Sequence, residues 1–319
     1  MIDKNIVKKQ EPPFCIQIEL TEGCNLMCSF CGVHGIRQSA GMYKFMTIDI
    51  AIKIVSLLQS SHGWNPRIEF AMHGEPTLNP NFVEIIKLFN TLNMPLMLCT
   101  NGAGLLIDTQ NKIKRLFVNG LSTLTIDNYK NNKKNMDKIL KMIDGKFPIF
   151  YYPKQNESPH TRKKYKRIII VDDISNTKIG NHATLNNHCG CASKPLIFPL
   201  KKRCAKPFRE LAIRWDGNVA LCCNDWRGVY KCGNIVNYKS IEDLWQNKFF
   251  TAARKRLYYK MRDFSPCEIC NATSYRMGLL PDKKGKEKIN QPTLIPDKII
   301  NAAIKDEAYS PIILRQWEK

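Results

Sequence analysis

The stretch EGCNLMCSFCG at 22–32 places Cys24, Cys28 and Cys31 within eight positions, in a C-x3-C-x2-C spacing. Three thiols cannot all pair with one another, and three thiolates are one short of a closed tetrahedral zinc site. The trio suits a metal centre with one position left open, or a zinc ion completed by one remote ligand. A second set lies far along the chain: Cys204, Cys222 and the C-x2-C pair Cys267 and Cys270. Four thiolates close a metal site completely, as zinc or as an iron–sulfur cluster. Cys189, Cys191, Cys223 and Cys232 stand close enough in sequence that any of them could replace one of the four. Cys15 and Cys99 fall in apolar stretches and read as small buried residues.

The elements that must position these thiols follow from the apolar pattern. CIQIEL (15–20) reads as a buried strand leading straight into the first thiol loop. TIDIAIKIVSLLQ (47–59) has helical periodicity with Thr47 as N-cap. RIEFAMHGE (67–75) is a strand and loop, and NPNFVEIIKLFNTL (79–92) a helix opened by Asn79 with Pro80 at its first position. Strands are expected at 95–102, 121–127, 148–153 and 167–171, with helices near 109–118 and 131–143. Alternating strands and helices, with strands apolar nearly throughout, predict a parallel sheet covered by helices. Six strands suit an open (β/α)6 partial barrel. The polar segment 154–166 reads as a basic loop or short helix. In the second module, FRELAIRWDGNVALCC (208–223) predicts a hairpin around Asp216 and Gly217. Residues 240–260 predict one amphipathic helix with Ser240 as N-cap and Asp243 completing a capping box.

The chain has 319 residues, 44% of them hydrophobic, enough for a large α/β domain and a smaller one. No apolar run reaches 18 residues, so no membrane partner is expected. The opening MIDKNIVKKQEPPF lacks a signal-peptide apolar region, and the expected location is cytoplasmic. Disulfides are rare there, so 13 cysteines point to metal binding. Lys and Arg number 49 against 28 Asp and Glu, a net +21. Such a balance suits an anionic or nucleic-acid partner, or a generally basic solvated surface; its spread along the chain favours the surface.

CNLMCSFC resembles the cysteine loop of the radical S-adenosylmethionine (SAM) superfamily, with Phe30 at the aromatic position. The resemblance implies a [4Fe–4S] cluster held by Cys24, Cys28 and Cys31, whose open iron binds the amino and carboxylate groups of SAM. MHGEP (72–76) resembles the family's Gly-Gly-Glu-Pro loop with His73 in place of the first glycine. It implies that Gly74 and Glu75 hold the SAM amino group. CTNG (99–102) resembles the Thr-Asn-Gly turn and places Asn101 near the adenosine, while TLTID (123–127) resembles a strand in which Thr125 contacts the ribose. The second cysteine set resembles the twitch domain, a short relative of the SPASM domain, as found in a dehydrogenase that oxidises an aminocyclitol alcohol to a ketone. It implies that Cys204, Cys222, Cys267 and Cys270 hold one auxiliary [4Fe–4S] cluster. The implied division is a partial barrel core at 1–175, a connection at 176–203, a twitch/SPASM-like auxiliary cluster domain at 204–274 and a basic tail at 275–319.

The resemblance implies reductive cleavage of SAM, a 5′-deoxyadenosyl radical and hydrogen abstraction from substrate, with a flavodoxin- or ferredoxin-type electron donor. The auxiliary cluster favours a net oxidation, a dehydrogenation of a small anionic metabolite. Alternatives are modification of a nucleic acid or nucleotide, suggested by the charge and by Arg162-Lys163-Lys164 and Arg254-Lys255-Arg256, a peptide-modifying maturase, and a non-catalytic iron–sulfur or zinc protein. No general base is identified.

Overall fold

The computed structural model describes residues 10, 12–106, 112–129, 133–143, 149–152, 166–172 and 186–272. The expected basic tail, residues 176–185 of the connection and all of 154–166 except Lys166 lie outside the described residues. Six strands run parallel in one sheet: β1 (Cys15–Ile18), β4 (Arg67–Phe70), β5 (Leu96–Thr100), β6 (Leu121–Asn128), β7 (Ile149–Tyr152) and β8 (Arg167–Asp172). They are the six strands expected from the apolar runs. Their order is β1-β4-β5-β6-β8-β7, so β8 pairs with β6 and β7 takes the edge.

Successive strand residues face opposite sides of a sheet. One side carries Ile16, Ile68, Phe70, Leu98, Ile126 and Ile170 into the main core. There they meet α1 (Ile48–Gln59), α2 (Phe82–Asn90), α3 (Lys112–Val118) and α4 (Lys133–Ile143). Phe70 and Phe89 pack edge to face at 5.3 Å, a pairing that adds to their burial. The other side, the inside of the partial barrel, is buried too but carries Gln17, Glu69, Thr123 and Thr125. The strands are therefore less uniformly apolar than expected, because the inner face serves a site rather than a second core.

Thr47 caps α1 as expected, accepting from the Ile50 N–H at 3.3 Å. Helix α2 starts later than expected, with Asn81 as its N-cap residue. The Asn79 side chain is engaged elsewhere: Nδ2 donates to the Leu20 and Met46 carbonyls and Oδ1 accepts from the Asn81 N–H. The expected single helix at 240–260 is two, α6 (Ile241–Trp245) and α7 (Lys248–Tyr258). Asn247 breaks it by accepting from the Phe249 and Phe250 N–H groups, both at 3.0 Å. Ser240 does cap α6, accepting from the Asp243 N–H at 3.0 Å.

The strands after residue 204 extend the same sheet. A short helix, α5 (Lys206–Arg209), leads into β9 (Glu210–Ile213), which pairs in parallel with β1 from Cys15↔Glu210 to Ile18↔Ile213. β10 (Asn218–Ala220) folds back on β9 and β11 (Lys231–Asn234) on β10, both antiparallel. The expected hairpin is present, with Gly217 left-handed at φ 79°. Among the described residues no helix is long and apolar enough to cross a membrane.

Candidate metal centres

Beyond β1 the chain forms β2 (Thr21–Glu22), which pairs with β3 (Lys44–Phe45), and then enters the thiol loop. Gly23 bridges Gly74 of the MHGEP loop: its N–H donates to the His73 carbonyl at 3.3 Å and its carbonyl accepts from the Glu75 N–H at 3.0 Å. A Cβ on Gly74 would lie 2.1 Å from the Thr21 carbonyl oxygen, so only glycine allows this approach. Sequence spacing thus brings together two loops that the fold fastens backbone to backbone.

The Cys24 sulfur accepts from the Leu26 N–H at 3.3 Å and the Asn101 Nδ2 at 3.4 Å. Burial pushes the Cys24 thiol up, with Glu75, Cys31 and Cys28 adding repulsion. Burial likewise pushes Cys31 up to about 11, against a Val33 N–H bond that favours its thiolate. Thiols in this position shed their protons when a metal compensates the charge. Among the described residues no three His, Cys, Asp or Glu side chains are gathered tightly enough for one metal ion. Thiolates on a cluster sit on different irons rather than within about 2.3 Å of a single ion. Two of the three loop thiols, Cys24 and Cys31, carry N–H donors at sulfur, as suits thiolates of such a cluster.

The other expected cofactor contacts surround this loop. Glu75 is buried, with Oε1 accepting from the Thr77 N–H and hydroxyl and the Thr100 hydroxyl, and Oε2 from the Asn101 N–H at 2.7 Å. Burial raises its pKa against those four bonds. Oε2, with one donor here, has a second lone pair for another. Asn101 lies against the thiol loop itself, its Nδ2 also reaching Asn25 Oδ1 at 3.0 Å. Thr125 is buried on the inner face of β6, in register with Cys99 of β5. Phe30 packs edge-on to Tyr129 at 5.2 Å. Asp127, near the end of β6, is pushed up to about 8 by burial and then by the Glu75 charge.

His73 turns beneath the loop and is fully buried. Its Nδ1 lies 2.9 Å from Glu19 Oε1 and its Nε2 2.9 Å from the Cys223 carbonyl. Glu19 and Glu22 both meet Arg214, at 3.5 and 2.5 Å. His73, at the position the resemblance gives to a glycine, thus forms a buried strut to the second module.

The second set sits where the β10 turn meets a 3-10 turn at Cys267–Ile269, with Cys270 closing it. Cys222, Cys267 and Cys270 are buried and Cys204 partly so. Burial drives Cys222 and Cys267 up, and Cys204 bears on both electrostatically. Cys270 is held below the usual thiol range, chiefly by a hydrogen bond from Cys189, despite burial. Two buried cations stand nearby. Arg262 donates to the Lys202, Arg203 and Ala272 carbonyls, and Lys206 Nζ reaches Cys223 Sγ at 3.1 Å and Glu210 Oε1 at 3.1 Å. Thiols flanked by buried positive charge suit an anionic iron–sulfur cluster. Cys15, Cys99 and Cys232 are buried in the sheet or core, as expected for the first two.

One residue escaped the sequence. Trp226, four residues past Cys222, packs against His73 with tilted rings 4.7 Å apart and donates from Nε1 to His188 Nδ1 at 2.6 Å. A Cβ on Gly32, next to Cys31, would lie 2.5 Å from its indole, so the first thiol loop approaches Trp226 closely at this glycine. The His188-Cys189-Gly190-Cys191 run, whose cysteines the sequence offered as alternative auxiliary ligands, packs its two thiols toward different sites: Cys191 with Val33 and Trp226, Cys189 with Cys270.

The sequence model of the radical SAM superfamily matches residues 18–149, and that of SPASM, an iron–sulfur cluster-binding domain, matches residues 204–272. The GTP 3',8-cyclase of Clostridium perfringens is 28% identical over 138 residues, 40% of this chain and 41% of that protein, so the match spans under half of that relative's length. The tungsten-containing aldehyde ferredoxin oxidoreductase cofactor-modifying protein of Pyrococcus furiosus is 23% identical over an alignment of 325 positions, covering 80% of this chain and 88% of that protein. BtrN, solved in complex with AdoMet and 2-DOIA, superposes with a TM-score of 0.64 at 21% identity, over 83% of this chain and 95% of that one.

Proposed function

Because the chain is a radical SAM enzyme carrying a SPASM iron–sulfur cluster-binding domain, we propose that it oxidises a small anionic metabolite by removing hydrogen. Its cofactors are SAM, a SAM-binding [4Fe–4S] cluster and an auxiliary iron–sulfur cluster. In this reading Cys24, Cys28 and Cys31 hold the first cluster, and Cys204, Cys222, Cys267 and Cys270 the auxiliary one. When bound, these groups supply the electron that splits SAM and the radical that takes a hydrogen atom from substrate.

The protein's own part is positioning. Gly74 brings the backbone close to the thiol loop, and Glu75 Oε2 offers a buried acceptor for an amino group. Asn101 steadies Cys24 and Asn25. Thr125 and Phe30 line the approach from the barrel interior. The observation that carries the oxidative reading is the shared wall between the two thiol sets. Trp226 touches the loop of Cys31 on one side and follows Cys222 on the other. An electron leaving the substrate would have an acceptor in the adjoining module. BtrN, of similar fold, was solved with AdoMet, the cofactor assigned here to the first site.

A second reading takes a nucleotide or nucleic acid as substrate. The net charge of +21 and the partial match to a GTP 3',8-cyclase favour it. One experiment addresses both. Anaerobic reconstitution should give about eight irons per chain, and about four after Cys24, Cys28 and Cys31 are replaced by Ala. With strong reductant, SAM should yield 5′-deoxyadenosine. A panel of anionic metabolites, nucleotides and RNA would then show which class makes that product substrate-dependent, with about one SAM consumed per turnover. Zinc at the first site, or SAM left intact under reductant, would overturn the proposal.

A further inference from the structure

Asn187 and Asn271 form a reciprocal clamp. The Asn187 N–H donates to Asn271 Oδ1 at 2.6 Å, and the Asn271 N–H returns to Asn187 Oδ1 at 3.1 Å. Asn187 Nδ2 also donates to the Ile269 carbonyl at 2.7 Å. The run that follows is thereby pinned across the turn carrying Cys267 and Cys270. His188, Cys189 and Gly190 then take φ values of 47°, 52° and 77°. Two side-chain-bearing residues in the left-handed region are strained and persist where the surroundings hold them.

The clamp seats Cys189, buried, against Cys270 and Ala272. Cys189 lies outside the SPASM match at 204–272, and the four cysteines assigned to the auxiliary cluster already account for one thiolate per iron. Cys223 is engaged by Lys206, and Cys191 packs toward the first site. Cys189 is therefore a fifth thiol beside a full donor set. A thiol outside the coordination sphere keeps its S–H, a weak donor, and Cys270 is the sulfur it packs on. Hydrogen bonds to cluster sulfurs help set reduction potential. A donor withdraws electron density from the ligand sulfur and favours the more negative, reduced cluster.

We propose that Cys189 is a tuning residue of the auxiliary cluster: it donates its S–H to the Cys270 sulfur and raises the cluster's reduction potential, making it a better acceptor of the substrate's electron. This rests on the auxiliary-cluster reading above. The test uses the full-length chain with Cys24, Cys28 and Cys31 replaced by Ala, reconstituted anaerobically so that one cluster titrates. Iron content and midpoint potential are measured with and without further changes. Cys189→Ala should keep about four irons and show a more negative potential. Cys189→Ser, which retains a donor, should recover part of the shift, and Cys191→Ala should leave the potential unchanged. An unaltered potential in Cys189→Ala would overturn the proposal. So would loss of its iron, which would make Cys189 a ligand. A parent variant holding no iron would overturn the auxiliary-cluster reading itself, and the proposal with it.

Discussion

Asp127 shows what burial does to a single carboxyl beside the first site. Desolvation and then Glu75 raise its pKa to about 8, with a Tyr129 hydrogen bond opposing. The unfolded chain releases the same proton near pH 3.9, as an ordinary Asp does. Between about pH 4 and about pH 8 the folded form therefore holds a proton that the unfolded form has lost, and stability falls as pH rises through that window. Above it the curve flattens. Urea midpoints of the cluster-free chain should show this decline, and Asp127→Asn should remove it. At this scale the sequence was informative wherever chemistry depends on local spacing: the C-x3-C-x2-C loop, Gly74-Glu75 and Asn101 all converge. It was silent on the contacts of His73 and on Trp226 altogether, because their partners Cys223, Gly32 and His188 lie from 38 to 194 positions away in the chain.

Among the elements, strand existence was legible because each strand is a short apolar run between turn signals. Strand order was not: apolar runs carry no label for their neighbour, so nothing in IFYY or RIIIV says that β8 lies inside and β7 at the edge. Helix boundaries moved where a polar side chain had a better use. Asn79 bonds two distant carbonyls instead of opening α2, and Asn247 divides what periodicity reads as one helix. Asn247 also donates to the Cys232 carbonyl and the Tyr238 hydroxyl. Asn247→Ala should cost about 1–2 kcal/mol, the upper range for a lost N-cap. Thermal unfolding would report it, and little or no change would show that tertiary packing alone sets the α6–α7 break.

For the molecule as a whole, one guanidinium ties the two thiol-bearing modules. Arg214, at the end of the second module's first strand, meets Glu19 and Glu22 from the first, with Glu19 fully buried. Arg214→Met would leave both carboxylates without it and should destabilise the fold by about 3–5 kcal/mol. Arg256→Met, which breaks an exposed pair with Asp263, should cost under about 1 kcal/mol. Comparable losses in the two variants by chemical denaturation would show that the Arg214 contact is not a structural tie.

The register of β9 along β1 has a consequence for any attempt to divide the chain. A fragment ending at residue 203 would strip a strand from β1 and bare a row of unpaired amide and carbonyl groups along a flat apolar ribbon. Such a ribbon is a template for another copy of itself. Light scattering should find the fragment growing into large particles at concentrations where the intact chain stays dispersed, and supplying residues 204–272 in trans should slow that growth by recapping the bared strand.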